Sequence, residues 1–377
     1  MPKLKSSKSK MKTRPVPFVA GFKPVTKPRQ MKAITGDSLA PIPRPLQPGG
    51  HFPPLPDPSS DLDWLAQFRE DGQTFKQFLR ECPWLSSRKV KYMRQNFNPE
   101  GATIQEKYPE GTIYIQPLGD FDSDSGVAME ELVEYTRLFF CLPVDVLPPV
   151  HLRCENNKMT WIDVPSSEEK ALYTSRKSKR VKKHHLNARF DAKSGRRQLA
   201  VDTILLTMKQ YIPDNALCLI ALTMEDLYEA QSDLFVAGMA AGNHRVAIFS
   251  FFRYEPGIVF SEENWFEMKQ TNSSTPYERK KLLLHRSCKL LVHEISHLLG
   301  IDHCIFFACC MNGSGNLAED FRQPMQLCPV DLHKLQVLCG FDIVKRYEGL
   351  QEFFRKHQLC EELNWVKKRL NFLLSTF

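Results

Sequence analysis

Hydrophobic and polar positions change period several times along this chain. Between residues 61 and 82, Leu62, Leu65, Phe68, Phe75, Phe78 and Leu79 recur at helical spacing with a break at Gly72, which predicts two short helices. Residues 112–119 alternate as a strand, and after a Gly/Asp/Ser turn a helical pattern runs from about 126 to 140, followed by a strand over 144–152. Strand, helix and strand in that order make a β-α-β unit, whose crossover favours parallel pairing. Beyond a polar stretch over 155–197, an amphipathic helix on Leu199, Ile204, Leu205 and Met208 leads to the apolar run 216–222, with strand-like runs at 234–239 and 246–252. A long helical pattern starts near Glu278, and the remainder stays helical through 332–338, 343–354 and 363–374. The fold class that follows is α+β: a mixed, twisted sheet with helices packed on it and a helical C-terminal part.

Composition divides the chain. Thirteen of the 26 prolines precede residue 60, so residues 1–60 read as an extended, unfolded arm, with order starting near Asp61. Residues 61–111 read as a helical extension, 112–347 as the main domain interrupted by a basic insertion over 155–197, and 348–377 as C-terminal helices. The net charge of +8 is uneven: the first 32 residues hold ten Lys or Arg and no carboxylate, and residues 176–197 hold ten against the single Asp191. The body is therefore acidic. Phe18 and Phe22 in the arm, and the density of cations over 177–183, raise nucleic-acid contact, although a solvated tail and a charged loop explain them more simply. His184 and His185 read as an incidental pair in that loop. With 42% hydrophobic residues and 25 Phe there is ample core, which excludes collagenous, fibrous and wholly disordered classes. No run of about 18 apolar residues and no apolar N-terminal segment is present, and the eleven cysteines suit a reducing compartment. No membrane is expected as a partner, and the expected location is intracellular, cytoplasmic or nuclear.

The chemistry concentrates at His293-Glu294-Ile295-Ser296-His297, within the helix whose apolar face is Leu284, Cys288, Leu291, Val292, Ile295, Leu298 and Leu299. His293 and His297 stand one turn apart on one face, as two ligands of one metal ion must. Glu294 lies about 100° round the helix from His293, close enough to reach a metal-bound water without being a ligand. A third ligand at His303 would be about 120° off that face if the helix continued, so the helix must break first. Gly300 stands where a left-handed residue turns the chain. The reading is zinc bound by His293, His297 and His303, with the fourth position open.

That extended pattern, H-E-x-x-H-x-x-G-x-x-H, resembles the metzincin metallopeptidases, and Met311, followed by Asn312-Gly313-Ser314-Gly315, is similar to their Met-turn. Cys304, Cys309 and Cys328 around it narrow the resemblance to the archaemetzincin family, whose signature couples the catalytic motif to a four-cysteine structural zinc site. The resemblance runs from about residue 112 to 347 and leaves out the arm and the basic insertion. It implies a metzincin-like zincin catalytic domain and a protease that hydrolyses peptide or protein substrates, with zinc as cofactor and Glu294 as general base, the substrate pairing with an edge strand at 234–239 or 246–252. One position departs from the family. Where a fourth cysteine is expected the chain has Asp331, with Cys310 and His333 nearby in sequence. A second zinc held by Cys304, Cys309, Cys328 and Asp331 is one outcome; a lost site with buried thiols is the other. The alternative function is a zinc-stabilised peptide- or nucleic-acid-binding protein without turnover, which Glu294 argues against. Oligomeric state and cleavage preference are left open.

Overall fold

The computed structural model describes residues 22–36, 41–85, 96–119, 121, 127–155, 158–163, 182–192, 195–257 and 275–375. Ahead of the sheet, the described residues make four short α-helices: α1 (Lys27–Thr35), α2 (Trp64–Gln67), α3 (Phe75–Glu81) and α4 (Ile104–Lys107). The arm expected to stay unfolded up to residue 60 is thus folded over much of its length. Ala33, Ile34, Leu46 and Phe52 are buried in the main core, and α1 packs on the helix that follows Cys328. Helix α1 has proline in its first turn and ends at Gly36 with φ +80, the usual start and stop chemistry. The N-terminal residues 1–21 and the cationic residues 177–181 lie outside the described residues.

The next segment forms β1 (Thr112–Leu118), α5 (Met129–Phe140) and β2 (Val144–Val146), with β2 parallel to β1 as the crossover predicts. Where a polar loop was expected after residue 155, the described residues make strands: β3 (His151–Glu155), β4 (Lys158–Asp163) and β5 (Lys182–Leu186) form an antiparallel sheet, and β6 (Ala188–Asp191) pairs with β7 (Arg196–Ala200). His184 and His185 lie in β5, where His184 Nε2 meets the hydroxyl of Tyr211, so the pair is not a loose loop. Helix α6 (Val201–Met208) then leads to β8 (Ala216–Thr223), β9 (Asp226–Tyr228), β10 (Gly238–Ala241) and β11 (Val246–Ser250).

The central sheet has the order β10-β11-β8-β1-β2, parallel except for the antiparallel edge strand β10. Every residue of β1, β8 and β11 is buried, because both faces are covered. Ile113, Ile115, Ile220, Leu222 and Phe249 face the core shared with α5 and α7 (Pro276–Leu298); Tyr114, Leu219, Ala221 and Ile248 face a second core with Trp161, Ile204 and Met208. The alternation follows from the two-residue strand period. Helix α7 starts at a capping box, in which Thr275 and Glu278 each bond the other's backbone N–H, with Pro276 in its first turn. The remaining helices are α8 (Leu317–Arg322), α9 (Pro329–Cys339), α10 (Ile343–Lys356) and α11 (Cys360–Leu374). The boundary drawn before residue 348 falls inside α10, which packs on both α5 and α11. Among the described residues, no helix is long and apolar enough to cross a membrane.

Candidate metal centres

Helix α7 runs to Leu298 and is closed by Gly300, whose φ of +90 is the left-handed conformation that glycine adopts without penalty. The Gly300 N–H donates to His297 O at 2.9 Å and the Ile301 N–H to Ser296 O at 3.0 Å, so the chain reverses within three residues. This turn carries His303 back over the helix end. His293, His297 and His303 then offer ring nitrogens that all lie within 4.8 Å of one another. Replacing Gly300 by alanine forces a Cβ to within 3.0 Å of Pro83 Cδ and holds an L-residue at positive φ. Gly300→Ala is expected to cost about 1–2 kcal/mol, read as a lower denaturant midpoint.

The outward nitrogens of the three rings are all engaged. His293 Nδ1 donates to Cys310 O at 2.7 Å, His297 Nδ1 to Ile301 O at 2.7 Å, and His303 Nδ1 to Glu70 Oε1 at 2.8 Å. A carbonyl oxygen only accepts, so the protons of the first two rings sit on Nδ1. Their Nε2 lone pairs then face each other at 3.0 Å with no proton between them. Two acceptors so placed repel, and a cation between them removes the repulsion. The spacing is close to the edge of about 3.3 Å that tetrahedral zinc–nitrogen bonds near 2.05 Å require. Burial, with the charge of His303, lowers His293 to about 4; burial, with both neighbouring rings, takes His297 well below its ordinary value. Both rings are therefore neutral at pH 7, the form in which an imidazole nitrogen can bind a metal.

Glu294 is half-buried beside them. Burial, reinforced by Asp320, raises its carboxyl to about 8. A cavity of about 540 Å³ opens on His297 and His303, with Trp64, Glu70, Gln73 and Asp302 also in its wall. Of the two stretches expected to offer a free strand edge, β11 lies inside the sheet and only β10 is at its rim.

Met311 is fully buried, and its carbonyl accepts from Cys304 N at 2.7 Å. The turn is tied by Asn312, whose side chain donates to Cys304 O and Phe307 O at 2.8 and 3.0 Å and accepts from Cys309 N at 2.7 Å. Asn312 thus braces the loop that carries Cys304 and Cys309, a role that its place in a Gly/Ser-rich turn did not signal.

The second cluster is Cys304, Cys309, Cys328 and Asp331, all fully buried, with donor atoms also within 4.8 Å of one another. Cys304 Sγ lies 3.5 Å from Cys328 Sγ, and Asp331 Oδ2 lies 3.2 and 3.4 Å from the sulfurs of Cys309 and Cys328. Three thiols and a carboxylate are a donor set that zinc accepts, with sulfur separations near the ideal edge of about 3.8 Å. The other Asp331 oxygen accepts from Lys334 Nζ at 2.7 Å, both side chains being almost wholly buried. Burial and the Cys304 sulfur raise Asp331 to about 7, against the pull of Lys334. The two other donors near in sequence are elsewhere. His333 donates to Ile34 O and stacks on Phe75 at 3.6 Å, and the Cys310 thiol falls outside the cluster, its burial raising it to about 12.

Comparison with known proteins places these clusters in context. The family model described as Peptidase family M54 matches residues 258–337. Mouse Archaemetzincin-2 is 33% identical over 318 residues, covering 80% of this chain and 75% of the relative, and human Archaemetzincin-2 is 32% identical over 308 residues, covering 77% and 71%. The crystal structure of archaemetzincin from Methanopyrus kandleri superposes with a TM-score of 0.36 at 19% identity, over 63% of this chain and 96% of that one.

Proposed function

The chain belongs to the archaemetzincin family of M54 metallopeptidases, and from that membership we propose that it hydrolyses peptide bonds at a zinc ion held by His293, His297 and His303. The observation that carries the reading is the convergence of the three rings, with two Nε2 lone pairs turned on each other and each Nδ1 tied from behind. Zinc held there supplies a Lewis acid that acidifies water and polarises a carbonyl. Glu294, one residue from the first ligand, takes a proton from the attacking water at its carboxylate and passes it to the leaving amide nitrogen. The water's hydroxyl joins the carbonyl carbon as the C–N bond breaks, so acid and amine products balance. The rim of β10, unpaired among the described residues, supports an extended substrate lying antiparallel along it. Met311 and the turn at Gly300 support a metzincin-like arrangement around the site.

The cysteine cluster supports a second, structural zinc with Asp331 as the fourth donor. Its four positions are filled by protein, in contrast to the histidine site.

The test is a peptide library incubated with the zinc-loaded protein. Cleavage that a chelator abolishes and added zinc restores is the expected result; an intact library with the zinc-loaded chain would sink the reading.

A further inference from the structure

The end of α7 leaves its last carbonyls without partners inside the helix, as every helix does. Here they are met by a segment more than 200 residues earlier in the chain. Trp84 Nε1 donates to Leu298 O at 2.8 Å, the Cys82 thiol lies 3.5 Å from Leu299 O, and Gln73 Nε2 donates to Gly300 O at 3.2 Å. Gln73 also grips Asp302 twice, donating to its carboxylate at 3.2 Å and accepting from its N–H at 3.3 Å. The turn that brings the third histidine to the metal is thus clasped residue by residue. The segment is itself anchored: α3 has a capping box at Thr74 and Gln77, and Phe75 and Phe78 are buried.

The three histidines are not held alike. His293 and His297 stand on helix α7, and their Nδ1 atoms reach carbonyls of the loop just after it. His303 follows the turn on irregular chain, where no regular backbone orients its ring. Its Nδ1 reaches Glu70 at 2.8 Å, and Trp64 packs against the ring edge-on with centroids 5.2 Å apart. A carboxylate behind a metal-bound imidazole fixes the ring's orientation and strengthens its donor nitrogen.

We propose that the segment 64–84 completes the metal centre, with Glu70 as the positioning residue that aims His303 at the ion. The inference rests on the zinc reading above. Glu70 stands in the cavity wall but outside the group of residues that offer the ion a ligand atom, and it acts through His303.

Cobalt(II) is the probe, because thiolate absorption marks any cobalt in the cysteine cluster and separates the two sites. Glu70→Ala is expected to weaken cobalt at the histidine site by about 10–100-fold and to alter its visible spectrum. Glu70→Gln keeps an acceptor oxygen and retains most of the affinity. The thermal midpoint of the metal-free full-length chain stays unchanged in both variants, which a merely structural role would not allow. Glu70→Ala binding as tightly as the wild type, or losing affinity only in step with a fall in the metal-free midpoint, would overturn the inference and leave the zinc reading standing. A wild-type chain that takes no cobalt outside the cysteines would overturn both.

Discussion

Glu294→Gln leaves zinc per chain unchanged and lowers kcat for peptide hydrolysis by about 10²–10⁴-fold, the usual contribution of a positioned acid–base group. The amide fills the same space, so the half-buried wall beside His293 is not disturbed. It has no basic oxygen, so the proton of the attacking water has nowhere to go. Substrate binding is uniform between the two forms, and KM therefore moves little. Elemental analysis and steady-state kinetics on the same preparations check both halves. Turnover close to wild type in the glutamine form would remove Glu294 from the reaction, and a fall in zinc content would make it a ligand.

Two zinc ions per wild-type chain, falling to one in Cys328→Ser, is the second expected result, because removing one of three sulfurs empties the cysteine cluster and leaves the histidines alone. One ion in both proteins would mean that Asp331 marks a site already lost. Lys334→Met probes the same cluster from behind. Lys334 and Asp331 share a hydrogen bond at 2.7 Å with almost no solvent access, so its removal strands a buried carboxylate. That costs about 3–5 kcal/mol in the metal-free protein, measured as loss of unfolding free energy. The sign of the pH dependence follows from Asp331, which burial raises from 3.8 to about 7 in the metal-free fold. The folded state then binds the extra proton, so its stability contribution is full below about pH 4 and is lost as pH rises through 7.

The histidine cluster was legible because helix geometry leaves little choice. Two histidines four apart share a face and a third six further on does not, so Gly300 had to turn the chain, and its φ is +90. The β-α-β unit was legible for a similar reason, since β1 and α5 keep clean periods of two and 3.6 residues. Glu70, Gln73 and Trp84 carried no such signal. Their partners are 214 or more residues away, and no local pattern records a contact that only the tertiary fold creates. Strand β5 was hidden because Lys182-Lys183-His184-His185-Leu186 shows no apolar alternation; it is held by pairing with β4. Helix α1 was hidden by proline content, although Pro28 in its first turn and Gly36 at its end are ordinary helix boundaries. Asp331 was read as a candidate donor through the family resemblance, because it stands where a fourth cysteine is expected, whereas its charge partner Lys334, one helical turn on, became visible only with both side chains buried together.

The clasp on the third histidine means that an identical motif does not guarantee an identical affinity for metal. Two chains can share every letter from His293 to His303 and still hold their ions with different tenacity, if they differ at the position of Glu70. A fragment trimmed to begin at Thr112 would contain the whole signature and yet lack the carboxylate behind one ligand and the donors that close α7. The inherited unit of this metal centre is wider than the pattern by which it is recognised.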